Sequence, residues 1–319
     1  MGDLGSKRFA QGGKPPSASR ISYLLRQSAV VVRSPKMVEM ESYVSAGTRL
    51  SYIDTGTGAP IVFLHPTPLD HVYWLPLVER LDEYLPGLRT IVPDLRAHGA
   101  SELGANPPIA DFALVPNAHA LTMAQLASDT LALLDRLALR DAVFVGCSIG
   151  GYVLLEIWRQ APQRMRGLAF ICSKPQPDTE ANRIKRAETI ARARGGEREV
   201  LFDGMAQTLI GPTAHARHPG ILAELRARMT LTIEALVAVQ AGLALRPDSV
   251  PTVSTITAPV FALAGGEDPA ASPAEMDAFR LAPGGCDFHL LSDAGHFAAY
   301  EQPDGVAALL TPWLKQFGA

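Results

Sequence analysis

Val143-Phe144-Val145-Gly146-Cys147-Ser148-Ile149-Gly150-Gly151 is the stretch around which the rest of this chain organises. A short apolar run ends in G-x-S-x-G, and residues at helical spacing follow from Ile149 to Gln160. That order describes a tight strand-to-helix turn that pushes the Ser148 hydroxyl out of the fold. Small residues are required two before and two after the serine because the turn is strained and its neighbours sit very close. Three fixed positions are a weak signal alone. The strand before them, the helix after them and the partners downstream make the signal specific.

Outward from this turn, short β-rich runs alternate with longer helical ones from about Val38. Strands are expected at 39–45, 49–54, 61–65, 90–93, 142–147, 168–172, 260–264 and 287–291, the first two joined as a hairpin through Ala46-Gly47. The later strands are near-continuous apolar runs, as in a parallel sheet covered on both faces. Helices are expected at 73–85, 123–138, 149–161, 273–281 and 303–317. In the second of these, Met123, Leu126, Ala127, Leu131, Leu134 and Ala138 form one stripe. The pattern predicts an α/β fold with right-handed crossovers. Between Lys174 and Val250 the alternation stops and three or four helices are expected (180–194, 197–210, 219–230, 231–244), with breaks that include Gly211-Pro212. Such an insertion between sheet strands reads as a cap over the strand ends, where ligands bind in open α/β folds.

Ser148 needs a base, and His296 follows the last expected strand within Asp293-Ala294-Gly295-His296-Phe297. A carboxylate must hold that imidazole in the right tautomer and stabilise its cation. Asp268 closes the run from Val260, at the end of the strand before the histidine strand; the adjacent Glu267 competes for the role. An oxyanion also needs fixed donors. One is the amide of Ile149, at the start of a helix whose dipole favours negative charge. The other is in the loop His65-Pro66-Thr67-Pro68, where Thr67 carries the only free amide between His65 and Leu69, since proline has none.

Over residues 48–317 the chain resembles the α/β-hydrolase superfamily, specifically its capped serine-hydrolase group of esterases, enol-lactonases and cofactor-free haloperoxidases. The matching pieces are His65–Pro68 with Trp74 downstream, Asp94–Ser101, the elbow at 146–151, Gly265–Asp268, and Gly295-His296 with Glu301 and Pro303. The resemblance implies an α/β-hydrolase fold, a mostly parallel eight-stranded sheet with helices on both faces and a helical cap. It implies a core of 37–173 and 251–319 and a cap of 174–250. It also implies Ser148 as nucleophile, Asp268 as acid, His296 as base, the Thr67 and Ile149 amides as oxyanion hole, and no cofactor. Serine rather than aspartate at the elbow argues against haloalkane dehalogenase or epoxide hydrolase chemistry. The expected activity is hydrolysis of a small ester or lactone through an acyl-enzyme. The alternatives are a cofactor-free oxygenase or perhydrolase, or a small-molecule receptor on the same fold.

Composition bounds the rest. Of 319 residues, 47% are hydrophobic and 19% charged, enough for a large core, and a net charge of −3 argues against a nucleic-acid partner. Residues 1–36 hold seven Lys or Arg against Asp3 alone, leaving 22 basic and 31 acidic groups in the remainder. That basic, Gly/Pro/Ser-rich start is expected to be a disordered extension. Its one apolar stretch, 21–32, is too short to cross a bilayer. Cys147, Cys172 and Cys286 lack metal-like spacing, which favours a reducing, cytoplasmic compartment and no metal site. The pocket is expected to be mostly apolar, lined by Leu69, Trp74, Met205, Leu209 and Leu236. The cap's 11 basic and 9 acidic groups do not favour a carboxylate-bearing substrate. Oligomeric state is not legible.

Overall fold

Eight short segments assemble into one sheet. In the computed structural model, which describes residues 39–105, 114–115 and 118–318, they are β1 (Glu41–Ser45), β2 (Thr48–Thr55), β3 (Pro60–Leu64), β4 (Arg89–Pro93), β5 (Ala142–Cys147), β6 (Met165–Ile171), β7 (Val260–Gly265) and β8 (Cys286–Leu291). Their order is β1-β2-β4-β3-β5-β6-β7-β8. β2 runs antiparallel to β1 and β4, and the remaining pairs are parallel. The hairpin turns through Ala46 and Gly47, both at positive φ, as two-residue hairpin loops require. The basic extension expected at 1–36 lies outside the described residues.

Helices cover the sheet: α1 (Leu75–Tyr84), α2 (Met123–Arg136) and α3 (Ile149–Gln160) precede β6. β5 is buried along its whole length, which is why it reads as an unbroken apolar run. Between β6 and β7 lie α4 (Glu180–Arg194), α5 (Arg198–Leu209), α6 (Pro212–Arg217), α7 (Ile221–Ala227) and α8 (Ile233–Ala244), followed by α9 (Val250–Val253). Short helices α10 (Pro273–Met276) and α11 (Ala298–Glu301) and the closing α12 (Pro303–Lys315) complete the chain. α2, α4 and α8 each begin after a threonine (Thr122, Thr179, Thr232) whose side chain accepts the third helical amide, the usual satisfaction of an orphan donor.

Two elements differ from the sequence reading. Pro212 opens α6 instead of breaking the chain, because a proline at the first helical position loses no hydrogen bond. The single helix expected at 273–281 is α10 followed by a 3₁₀ turn over Asp277–Leu281. α8 sits tightly on the segment before α2: Leu121 N–H donates to the Ala238 carbonyl at 2.9 Å. A Cβ on Gly242 would lie 1.8 Å from the Leu121 carbonyl oxygen. Among the described residues no helix is long and apolar enough to cross a membrane.

Register places the functional loops together. Leu64 pairs with Gly146 at the ends of β3 and β5, so the chain leaving β3 toward Thr67 emerges beside the turn carrying Ser148. Gly265 pairs with Leu291 at the ends of β7 and β8, so the loops holding Asp268 and His296 also start side by side.

The glycines of the turn are fixed by contact. A Cβ on Gly150 would lie 2.1 Å from the Leu64 carbonyl oxygen, and one on Gly146 would lie 2.6 Å from the Gly150 carbonyl carbon. Both clashes are with backbone, which cannot rotate away. Gly150→Ala is therefore expected to lower stability by about 2–3 kcal/mol, the upper part of the overpacking range. A urea unfolding midpoint indistinguishable from wild type would contradict this contact.

Candidate active site

Ser148 sits at φ 52°, ψ −117° between β5 and α3. A non-glycine residue held at positive φ is strained, and here the strain aims the side chain away from the sheet. The turn is locked by Ser148 N–H to the Ile171 carbonyl (3.3 Å) and by Gly151 and Tyr152 N–H to the Ser148 carbonyl (2.9 and 3.2 Å). The Ser173 hydroxyl donates to the same carbonyl at 2.9 Å. Ile149 begins the helix, so its amide has no intrahelical partner.

His296 is 3% exposed and its Nδ1 meets both oxygens of Asp268, at 3.0 and 2.9 Å. Because a carboxylate accepts, Nδ1 carries the proton and the Nε2 lone pair is left free. Asp268 Oδ1 also accepts the amides of Ala270 and Ala271, at 2.7 and 3.2 Å, so the carboxylate is oriented before any imidazole meets it. Glu267 points elsewhere: it accepts the Thr213 amide at 2.9 Å and the Thr213 hydroxyl, tying β7 to α6. Of the two candidate acids, Asp268 is the one bonded to the imidazole.

The histidine loop is held by Glu301, a residue whose place in the sequence pattern did not disclose this contact. Its carboxylate accepts the amides of Gly295 (2.7 Å) and Phe297 (3.0 Å), which flank His296, and of Gly211 (3.2 Å) ahead of α6. Burial pushes its carboxyl up, against the lowering effect of these amides. His296 N–H itself donates to the Leu209 carbonyl at 2.8 Å. The inserted helices and the histidine loop are thus joined by a backbone bond and through the Glu301 carboxylate.

The Thr67 loop is braced by two neutral histidines, His98 on Thr67 itself and His65 on Pro66. His98 Nδ1 faces the Arg96 carbonyl (3.0 Å), so Nε2 accepts from the Thr67 hydroxyl at 2.9 Å. His65 Nδ1 faces the Pro66 carbonyl (3.0 Å) and Nε2 accepts the Leu95 amide (2.9 Å). Burial, and then the neighbouring His98, push His65 down to about 3, and burial lowers His98 too. Asp94 and Arg96 of the same motif are structural. Asp94 takes the amides of His71 and Ala100, each at 2.8 Å. Arg96 makes a buried two-point ion pair with Asp129, both bonds 2.7 Å.

Ser148, His296 and Thr67 line one cavity of about 320 Å³. The hydrogen bonds of the His296 ring go to Asp268, not to Ser148; such contacts tighten when substrate binds. Met205 and Leu209 also line this cavity. Leu69, Trp74 and Leu236, expected there, are instead buried in the core at 1%, 0% and 1% exposure. α8 is buried on every side from Ala235 to Ala244, so Leu236 packs inward, and Trp74 packs edge-to-face against Tyr73 and at a tilt against Phe63. The lining is more mixed than expected: beside Pro68, Met205, Leu209 and Leu243, the side chains of Lys174, Asp178, Lys185, Arg186, Gln240 and Arg246 also line the cavity.

Cys147 is no rival nucleophile. It is fully buried, accepts from the Tyr73 hydroxyl at 3.2 Å, and burial pushes its thiol far up, so thiolate is scarce. Among the described residues no cluster of three His, Cys, Asp or Glu is placed to hold a metal.

Comparison with known proteins follows the same lines. A profile described as "Alpha/beta hydrolase family" matches residues 61–309. A non-heme haloperoxidase of Rhodococcus erythropolis is 39% identical over 111 residues, which are 34% of this chain and 34% of that protein. The match therefore spans about a third of that relative's length. A thermophilic esterase from Thermogutta terrifontis, solved with malate bound, superposes with a TM-score of 0.77 at 28% identity, covering 88% of this chain and 100% of that one. The enol-lactonase from Burkholderia xenovorans LB400 gives 0.75 at 23% identity, covering 86% and 100%; at that identity the likeness is one of fold.

Proposed function

The chain belongs to the alpha/beta hydrolase family, and from that premise we propose that it is a serine hydrolase of small esters or lactones. The observation that carries the reading is the Asp268–His296 pair, with a free Nε2, in the same cavity wall as a serine held at positive φ. His296 Nε2 takes the Ser148 proton as Oγ attacks the ester carbonyl. The tetrahedral oxyanion is held by the Thr67 and Ile149 amides, and the imidazolium is steadied by Asp268. Collapse expels the alcohol, or opens the lactone, with the proton returned by His296. Water deprotonated by the same imidazole then releases the acid and restores Ser148. In this reading residues 174–250 act as a cap over a core of 37–173 and 251–319.

The test is a panel of p-nitrophenyl esters and lactones, with Ser148→Ala as the blank. Hydrolysis that the blank retains in full would remove the mechanism. Perhydrolysis is a second reading, favoured by the similarity to a non-heme haloperoxidase. Hydrogen peroxide would take the place of water at the acyl-enzyme and release a peroxy acid, so peroxide-dependent peroxy-acid formation separates the two.

A further inference from the structure

The wall facing Ser148 is cationic in a protein whose net charge is −3. Lys174, three residues beyond β6, Lys185 and Arg186 on α4, and Arg246 after α8 all line the cavity; Asp178 is its single acidic lining residue among those described. Part of this charge is structural. Arg186 and Arg246 share Asp178, the latter at 2.6 Å, and Lys174 is paired with Glu275 at 2.6 Å. Burial alone would raise Asp178, but the hydrogen bonds and charges of Arg186 and Arg246 outweigh it and hold the carboxyl low.

Two cations remain uncompensated after these pairings. Two guanidinium groups on one carboxylate leave a net positive charge. Lys185 has no ion-pair partner among the described residues. Arg246 is 6% exposed and its guanidinium lies 4.5 Å over the ring of Tyr152. Nε and Nη1 are spent on the Gln176 carbonyl (3.3 Å), Asp178 and the Leu243 carbonyl (3.2 Å), while Nη2 makes no hydrogen bond among the described residues. Tyr152 follows Ser148 by one helical turn, bonded N–H to carbonyl at 3.2 Å. Arg246 is thus tied through that ring to the helix that Ser148 caps.

The excess at buried Arg246 is costly unless an anion completes it, whereas Lys185 is exposed and adds its charge to the cavity without that cost. A cation-lined cleft also focuses its field and concentrates anions. Resting on the serine-hydrolase reading, we propose that the substrate is a small ester or lactone bearing a carboxylate remote from the scissile bond, seated between Lys185 and Arg246. A volume of about 320 Å³ is at the low end for ligand pockets, which limits the substrate to compounds such as half-esters of short dicarboxylic acids or carboxylated lactones.

The test compares monomethyl esters of succinic to suberic acid with the matching methyl ester amides, in which a carboxamide replaces the remote carboxylate. Wild type is expected to favour the best half-ester by at least about tenfold in kcat/KM, the scale of one charge-assisted hydrogen bond. Lys185→Met is expected to raise KM for that half-ester about tenfold at unchanged kcat, since the contact is made equally before and during reaction. It should leave the carboxamide ester unaffected, and Lys185→Arg should retain the preference. Added salt should weaken the half-ester alone. Calorimetric binding of adipate and adipamide to Ser148→Ala supplies a readout independent of turnover: adipate binds, adipamide does not, and Lys185→Met weakens adipate. Equal turnover of half-ester and carboxamide ester, or no adipate binding, overturns the proposal even where ester hydrolysis by Ser148 stands. Adipate binding without hydrolysis of any ester leaves the anion site in place and removes the serine-hydrolase reading.

Discussion

Ser148→Ala is expected to lower kcat for ester hydrolysis by about 10⁴- to 10⁶-fold, the range found when a triad nucleophile is removed. The substitution deletes one oxygen from a residue that is otherwise held by backbone: its amide bonds Ile171 and its carbonyl accepts Gly151, Tyr152 and the Ser173 hydroxyl. Fold and substrate binding should therefore survive. Unchanged unfolding behaviour with collapsed turnover is the expected pair of results, measured by denaturation and initial rates. A loss of only a few-fold would mean that the acyl-enzyme forms elsewhere or not at all.

Asp268→Asn is expected to cost about 10⁴-fold in kcat, through the tautomer and not through fold. Asp268 Oδ1 accepts from Ala270 and Ala271, so in the asparagine the carbonyl oxygen must stay there. The amide NH₂ then replaces Oδ2, which lies 2.9 Å from His296 Nδ1. A donor at that position bonds an accepting Nδ1 and so stabilises the tautomer with the proton on Nε2, which cannot receive one from serine. The retained Oδ1 carbonyl, 3.0 Å from Nδ1 and already shared with two amides, is the weaker competitor. Glu267→Gln supplies the contrast, since Glu267 bonds Thr213 and not the imidazole. It should leave kcat nearly unchanged. Reversed outcomes for the two variants would exchange the acids' roles.

The parts that were readable from sequence are those that backbone geometry dictates. G-x-S-x-G is legible because Gly146 and Gly150 meet neighbouring backbone at distances no Cβ tolerates. The strands are legible because β5 and β7 are buried throughout and so must be apolar along their length. His296 and Asp268 were legible because each follows a strand end, and Gly265 pairs with Leu291 to bring those ends together. Choosing between Asp268 and its neighbour needed the direction of two adjacent side chains, which no spacing encodes.

The pocket wall was not readable, for a different reason. Leu209 and Met205 were found, but Leu69, Trp74 and Leu236 are equally apolar and pack into the core. Apolar character identifies a buried surface without saying which side of it faces a cavity. Counting 11 basic against 9 acidic groups across residues 174–250 also hid their segregation. Arg192, Arg198 and Arg226 pair with exposed acids outside, whereas Lys185, Arg186 and Arg246 turn inward. A signal was present in Arg246, a lone cation closing the apolar run of α8: a charge there must be paired or functional. Glu301 escaped notice as a contact because its partners are three amides distributed over Gly211, Gly295 and Phe297.

The most direct test of the account is covalent. A fluorophosphonate probe incubated with the native protein should add one adduct by intact mass, located on the peptide carrying Ser148 and absent from Ser148→Ala. Efficient ester hydrolysis by a protein whose Ser148 stays unmodified at saturating probe would contradict it.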